Sequence, residues 1–284
     1  MWTQLLSLPG DAVRNEDFAL AVPDLAIVLD GVTCPPDLGT GCEHGTPWFV
    51  RRLAANVIVR AFQTGARAPL TDVLAAAIDA TRSDHHGRCD LRHPGTPSAT
   101  VALLRRAEGQ VEHLVLADAT VVIDRTDRPI EAISDLRIDA IEPDLQAEVK
   151  ASPYGSPQRA ALTEKWMCVQ REHRNIDGGF WIAGALPSAA WKAVTGSVPL
   201  TSLTRMAALS DGASRYVDLL GIGSWSDALD AMNRDLSGFL RAVRDHEQQD
   251  PACLRWPRWK RHDDATAVLW HPDPTAHTSR AQAA

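Results

Sequence analysis

Apolar positions along this chain follow two different periods, and the switches between them mark out its elements. The run "LAIVLD" (Leu25 to Asp30) is short, apolar and β-branched, which suits a buried strand ending at Gly31. From Pro47 to Gly65, Trp48, Phe49, Leu53, Val57, Ile58, Ala61 and Phe62 recur at helical spacing with Arg51, Arg52 and Arg60 off that face, predicting an amphipathic helix. A second helix, starting at Leu70 and carrying Val73, Leu74, Ala77, Ile78 and Thr81, should pack beside the first. From Ser98 the pattern turns extended, and "SATVALLRR", "EHLVLADATVVIDR" and "PIEAIS" read as a meander of antiparallel strands. Residues 140–180 are polar and proline-containing and read as a partly helical excursion. Beyond them come "FWIAG", "MAALSDGAS" and a long helix from about Ser226 to His246 with Leu229, Met232, Leu236, Phe239, Leu240 and Val243 on one face. "DDATAVLW" closes the pattern as a strand, and residues 271–284 read as a disordered tail.

Strands and helices therefore come in blocks, without regular βαβα alternation, without internal repeats and without a linker long enough to divide the chain. The expectation is one layered α+β domain over residues 1–270. At 284 residues, 45% hydrophobic and 23% charged, the chain can bury a sizeable core as a soluble protein. Its formal net charge of -7 argues against nucleic acid as a partner. The start lacks a basic region followed by an apolar run, and no stretch approaches 18 uninterrupted apolar residues, so a cytoplasmic protein with no membrane partner is expected. Five cysteines, odd in number and scattered with no C-x-x-C pair, signal neither a disulfide framework nor a structural zinc site. They read as reduced thiols.

Acidic residues carry the candidate chemistry. Glu16 and Asp17 stand side by side, Asp30-Gly31 ends "LAIVLD", Asp118 sits in "HLVLADATVVI", Asp211-Gly212 follows "MAALS", and Asp263 and Asp264 precede "ATAVLW". One such acid is an ordinary turn residue. Five separate strand-associated positions are another matter, because converging carboxylates repel unless a cation holds them. An all-oxygen ligand set suits Mg²⁺ or Mn²⁺, whereas zinc prefers His and Cys. On composition and spacing alone, a metal site and a set of solvated turns stay equally open.

In their order, "RNEDF", "IVLDGV", "SATVALL", "LADATVV", "ALSDGAS" and "DDATAVLW" resemble the metal-dependent protein phosphatases of the 2C (PPM) type, over about residues 10 to 270. The chain looks like a divergent, bacterial-like member. The resemblance implies a sandwich of two antiparallel β-sheets flanked by helices on both sides. It also implies hydrolysis of phosphoserine and phosphothreonine with two Mn²⁺ or Mg²⁺ ions, and a weaker third. By the same resemblance, Asp30 would bridge two metals, Asp211 and Asp263 would complete one ion's protein ligands, and Glu16 with the Gly31 carbonyl would serve the other. Asp17 would hold metal-bound water, and Asp118 with Asp211 would make the third site. Two ions roughly 3.5–4 Å apart share and acidify a water in such sites, so no covalent phosphoenzyme is needed. The implied partners are a phosphoprotein substrate and a cognate serine/threonine kinase system.

The departures bear on the phosphate. Members of the family commonly carry an arginine five residues ahead of the acid matching Asp17, gripping the phosphate; here Arg14 is three ahead. Val32 replaces a histidine found in many eukaryotic members, "LADAT" lacks the Gly, Ser and Arg of "GDSR", and Asp264 stands where Asn is usual. "VTCPPDLGTGCEHG" replaces a compact Gly-Gly turn, and its "GTGCEHG" part, which lacks the G-K-[ST] ending of a phosphate loop, reads as a flexible loop over the site. His85-His86-x-x-Cys89-x-x-x-His93 imitates a metal cluster but reads as a solvated helix-to-strand connection. "RWPRWKRH" (Arg255 to His262) mixes aromatics and cations like a nucleic-acid platform. Its place just before Asp263 suggests a loop that offsets the acidic site or meets phosphopeptide. Two further functions compete with a protein phosphatase: a non-catalytic 2C-like fold serving as a regulatory or binding module, and a dimetal hydrolase of small phosphoesters.

Overall fold

The apolar run at "LAIVLD" is buried on both faces, and this decides the architecture. The computed structural model describes residues 2–11, 14–34 and 38–272. In it, strand β3 (Leu25–Gly31) turns Ile27 and Leu29 toward helices α1 (Thr46–Thr64) and α2 (Leu70–Ser83), and Ala26 and Val28 toward a second sheet. Period-two alternation thus puts hydrophobic side chains on each face, which is why the run shows no polar positions before Asp30.

One sheet has the order β2 (Phe18–Val22), β3, β4 (Ala99–Ala107), β5 (Gln110–Leu116), β8 (Val194–Pro199). The other runs β1 (Trp2–Leu8), β10 (Ala265–His271), β9 (Leu203–Leu209), β6 (Thr120–Arg125), β7 (Glu131–Ile133). Every pairing within them is antiparallel. Val28, Leu104, Val121, Met206 and Trp270 fill the space between the sheets. Helices α1 and α2 cover one outer face, while α5 (Asp211–Asp218), α6 (Trp225–Arg234) and α7 (Leu236–Gln248) cover the other. The expected α+β sandwich of two antiparallel sheets between helical layers is therefore observed. Between β7 and β8 the chain makes an excursion that carries α3 (Pro143–Ala151) and α4 (Pro157–Glu172), in the region read as partly helical.

Three features differ from the sequence reading. The long helix expected from Ser226 to His246 is two helices, broken where Asp235 adopts an extended conformation (φ -158°, ψ 97°). Asp favours helix ends over interiors, and the break lets Leu229 and Met232 from one half and Phe239 and Val243 from the other reach the same sheet. Strands β1, β2 and β8 escaped detection because each lies at a sheet edge with half-exposed side chains. Residue 271 belongs to β10, where His271 pairs with Trp2. From residue 273 the expected tail lies outside the described residues. Among the described residues no helix is long and apolar enough to cross a membrane.

Candidate functional site

Antiparallel pairing sends alternate strand ends to the same side, and the acids occupy one such end of the sandwich. Asp30 lies in the last turn of the β3 ladder opposite Thr100, Asp17 just before β2, and Asp118 in the β5–β6 connection after Ala117 (φ 63°). Asp211 opens α5 directly after β9, and Asp263 lies just ahead of β10. Two of the acids precede glycine because backbone passes close by. A Cβ on Gly31 would press into Thr46 Cγ2 and the Glu16 carbonyl, and one on Gly212 into the Asp264 carbonyl. Both glycines read as turn formers in the sequence; in the structure they allow tight packing at the site.

Electrostatics confirms the convergence. Burial is the main cause that raises the Asp30 carboxyl well above its ordinary range, followed by the charges of Asp17, Asp211 and Asp263. Asp17, 4% exposed, is pushed up to about 7 by burial and then by Asp263 and Asp264. Asp118 also rises to about 7, through burial and then the Asp211 charge. Asp211 and Glu16 are raised too, burial again leading. These are like charges held together in a poorly solvated place.

Two cations of the chain answer part of this charge, and sequence reasoning assigned neither. Arg215, one helical turn after Asp211, binds Glu247 Oε1 at 2.6 Å and Asp263 Oδ2 at 2.9 Å, with Asp211 at 3.8 Å. Lys260 Nζ binds Asp263 Oδ1 at 2.6 Å and also feels Asp30 and Asp211. Asp263 consequently falls below the ordinary carboxylate range despite burial, Lys260 and Arg215 being the causes. A cation three residues before Asp263 and another four after Asp211 were the available signals. The expectation that "RWPRWKRH" supplies charge to the acidic site is met by Lys260. Its Arg258 instead turns inward to Asp250 Oδ2 (2.9 Å) and to backbone carbonyls.

Asp264 has a structural task. Its two oxygens accept the backbone N–H of Gly10 and of Glu16, both at 2.7 Å, fixing the chain that carries Glu16 and Asp17. Two acceptor oxygens suit two donors, which an asparagine could not match. Glu16 Oε2 accepts the Thr33 hydroxyl.

Asp30, Gly31, Asp118, Asp211, Lys260 and Asp263 line one end of a cavity of about 670 Å³. The opposite wall is largely apolar, formed by Ile138, Tyr154, Trp166, Met167, Phe180 and Trp259, much of it from the α3–α4 excursion. Glu16 and Asp17 lie behind the cavity rather than on its surface, and Arg14 is exposed and outside its lining.

The donor set fits hard divalent ions. Both Asp17 oxygens and Asp211 Oδ1 are buried without a well-formed hydrogen bond, the Thr266 and Ser210 hydroxyls near Asp17 and the Asp30 carboxyl near Asp211 offsetting the charge only in part, a costly state that a bound cation would relieve. Asp263 alone has both oxygens engaged by side-chain cations, so ligation through Oδ1 would require Lys260 to let go.

No protein-family model matches the chain, and no curated protein matches it. Solved structures do. PppA, described as a key regulatory component of T6SS in Pseudomonas aeruginosa, superposes with a TM-score of 0.55 at 16% identity, covering 96% of this chain and 97% of its own. The PPM Ser-Thr phosphatase MsPP from Mycobacterium smegmatis, in complex with cacodylate, gives 0.56 at 14% identity over 96% and 99%. The catalytic domain of the phosphatase PstP, in complex with two manganese ions, gives 0.51 at 13% identity over 95% and 97%. The chain thus has the fold of the PPM-type serine/threonine phosphatases.

Proposed function

We propose that the protein is a metal-dependent phosphatase that hydrolyses phosphoserine or phosphothreonine esters of a protein substrate. The observation that carries this reading is the set of buried carboxylate oxygens without well-formed hydrogen bonds, on Asp17 and Asp211, beside Asp30 at the head of an open cavity. In this reading Asp30 and Asp211 are the catalytic carboxylates. Glu16, Asp17, Asp30, the Gly31 carbonyl, Asp211 and Asp263 hold two Mn²⁺ or Mg²⁺ ions, and Asp118 with Asp211 a third. When bound, such ions acidify a water and offset charge on the phosphoryl group.

The chain's own residues do the rest. Asp264 fixes Glu16 and Asp17 through two backbone N–H groups. Arg215 holds Asp263 from behind. Lys260 is the cavity-lining cation beside the acids, Arg159 in the same lining being held by backbone carbonyls, and, once released from Asp263, it can pair with a phosphate oxygen. The resemblance offers Arg14 for that role, but its exposed position outside the cavity favours Lys260. The apolar wall suits side chains flanking the phosphorylated residue. A cognate serine/threonine kinase would supply the substrate.

Assays on p-nitrophenyl phosphate and a phosphothreonine peptide test the reading. Turnover should require Mn²⁺ or Mg²⁺ and fall by orders of magnitude in Asp30→Asn and Asp211→Asn, with the folded state kept. Activity in excess chelator would overturn it. Turnover of p-nitrophenyl phosphate alone would favour a hydrolase of small phosphoesters.

A second reading has its own observation. Lys260 and Arg215 already neutralise Asp263, as they would in a regulatory module that keeps the fold without turnover. PppA carries a regulatory description on the same fold. A purified chain that binds no divalent ion and has no activity would favour this reading.

A further inference from the structure

Far from the acids in sequence order of use, the loop leaving β3 and the end of α2 bring four soft ligands together. Cys42 and His44 come from the loop, His85 and Cys89 from the segment after α2, and their ligand atoms all lie within 4.8 Å of one another. The two sulfurs are 3.5 Å apart, and His44 Nδ1 stands 3.7 Å from Cys42 Sγ and 3.4 Å from Cys89 Sγ. A tetrahedral zinc with Zn–S of about 2.3 Å and Zn–N of about 2.0 Å requires edges of about 3.7 Å between sulfurs and about 3.5 Å between sulfur and nitrogen. The three spacings among Cys42, His44 and Cys89 agree to within a few tenths of an ångström, and His85 completes the set within 4.8 Å.

The outer contact of His85 sets its ring for ligation. His85 Nδ1 lies 2.9 Å from the Thr81 carbonyl, so it carries the proton and leaves Nε2 bare. That Nε2 is buried without a partner, in a residue 3% exposed. In His44, Nδ1 faces the sulfurs, while Nε2 stands between the Arg88 guanidinium at 3.3 Å and Glu43 Oε1 at 3.6 Å, so ligation through Nδ1 would place the ring proton on Nε2 toward Glu43. Trp48 stacks on His44 (centroids 4.2 Å, 24°) and meets His85 edge-on at 4.7 Å, forming an apolar side that excludes water.

We propose that Cys42, His44, His85 and Cys89 form a closed Cys₂His₂ zinc site that clamps the loop after β3 to the end of α2. Two sulfurs and two imidazoles in tetrahedral array select zinc over the hard ions suited to the acidic site. With four protein ligands there is no open position, so the role is structural. The Asp90 N–H to Gly41 carbonyl bond (2.8 Å) joins the same two segments beside the cluster. His86 and His93, part of the motif seen in sequence, stand outside it; His93 Nδ1 accepts the Gly95 N–H instead. In the sequence the motif reads as a solvated helix-to-strand connection, because the other half of the proposed ligand set lies more than 40 residues upstream, in a Cys-x-His pair that no local spacing rule links to His85-x-x-x-Cys89.

The test uses the full chain, purified without chelator from zinc-containing medium. Elemental analysis should find one zinc per chain, lost in Cys42→Ser and in Cys89→Ser but kept in His86→Ala and in Asp211→Asn. Cobalt(II) added to metal-free wild type should give the thiolate charge-transfer band and intense visible bands of a tetrahedral site. This readout stands even if the cysteine variants do not fold. Zinc-free protein with no such cobalt spectrum would overturn the proposal. So would a native mass two daltons light, the mark of a Cys42–Cys89 disulfide.

Discussion

Removing Arg215 probes the charge balance of the site without touching a proposed ligand. Its guanidinium makes two short contacts, to Glu247 Oε1 at 2.6 Å and Asp263 Oδ2 at 2.9 Å, and all three side chains are less than a tenth exposed. A hydrogen bond to a charged group contributes about 1.5–3 kcal/mol, which would put two at about 3–6 kcal/mol. Each acid keeps other partners: Glu247 retains Arg244 at 2.7 Å and His262 at 3.0 Å, and Asp263 retains Lys260. The lower end of the range therefore applies, and Arg215→Met should cost about 3–4 kcal/mol, comparable with the cost of breaking other buried ion pairs. Urea unfolding followed by tryptophan fluorescence measures it, and Tm should fall by about 8 °C. Adding Glu247→Gln to Arg215→Met should recover part of the loss, because a neutral amide needs no counter-charge. A loss below about 1 kcal/mol, the value of an exposed pair, would refute the claim that this network is buried and coupled.

The pH response of the metal-free chain follows from Asp17. Its folded pKa of about 7 lies above the unfolded value of 3.8, so stability from this group is full below pH 3.8 and is lost as pH rises toward 7. Between pH 6 and 8 the loss is on the order of 1 kcal/mol. Buried His85 and His113 and half-buried His271, lowered by desolvation, act in the opposite sense as pH falls through 6.5, so the readout is the difference in slope between wild type and Asp17→Asn in EDTA. Equal slopes would contradict the assignment. Lys260→Met should raise KM for a phosphopeptide while tightening Mn²⁺ binding by calorimetry, since the ion no longer displaces an ammonium; unchanged values for both would remove Lys260 from the site. Arg14→Lys should leave kcat/KM unchanged, and a clear rise in KM would return the phosphate clamp to Arg14. Phe239→Ala, fully buried beneath the outer helices, should cost about 3–5 kcal/mol by thermal or urea unfolding.

Legibility in the sequence followed burial. Strand β3, α1 and α2 could be read because their inner faces are apolar without interruption, and β10 because "ATAVLW" is buried throughout. Of the edge strands, β7 could be read as "PIEAIS", but β1, β2 and β8 could not, since a half-exposed strand such as "VTGSVP" carries no strong period. Likewise, Asp30, Asp211 and Asp263 were recognisable by their place after or before apolar strands, and the structure brings them together. Lys260 and Arg215 were not, because a cation on a loop or helix is ordinary until the acids it faces are known. The stretch "GTGCEHG" (Gly39 to Gly45) reads in the sequence as a flexible loop. Instead Arg171 on α4 holds it by the Leu38 and Gly39 carbonyls, and the cysteine–histidine cluster holds its far end.

Arg159 gives the cavity a mechanical linkage. From the first turn of α4 its guanidinium reaches the carbonyls of Val149 and Ser152 at the end of α3, and those of Arg258 and Trp259 just before Lys260. A single side chain thus bolts the apolar wall to the strap that carries the ammonium. A ligand seated against Trp166 or Met167 therefore meets a wall whose position is tied, through one guanidinium, to the backbone just before Lys260.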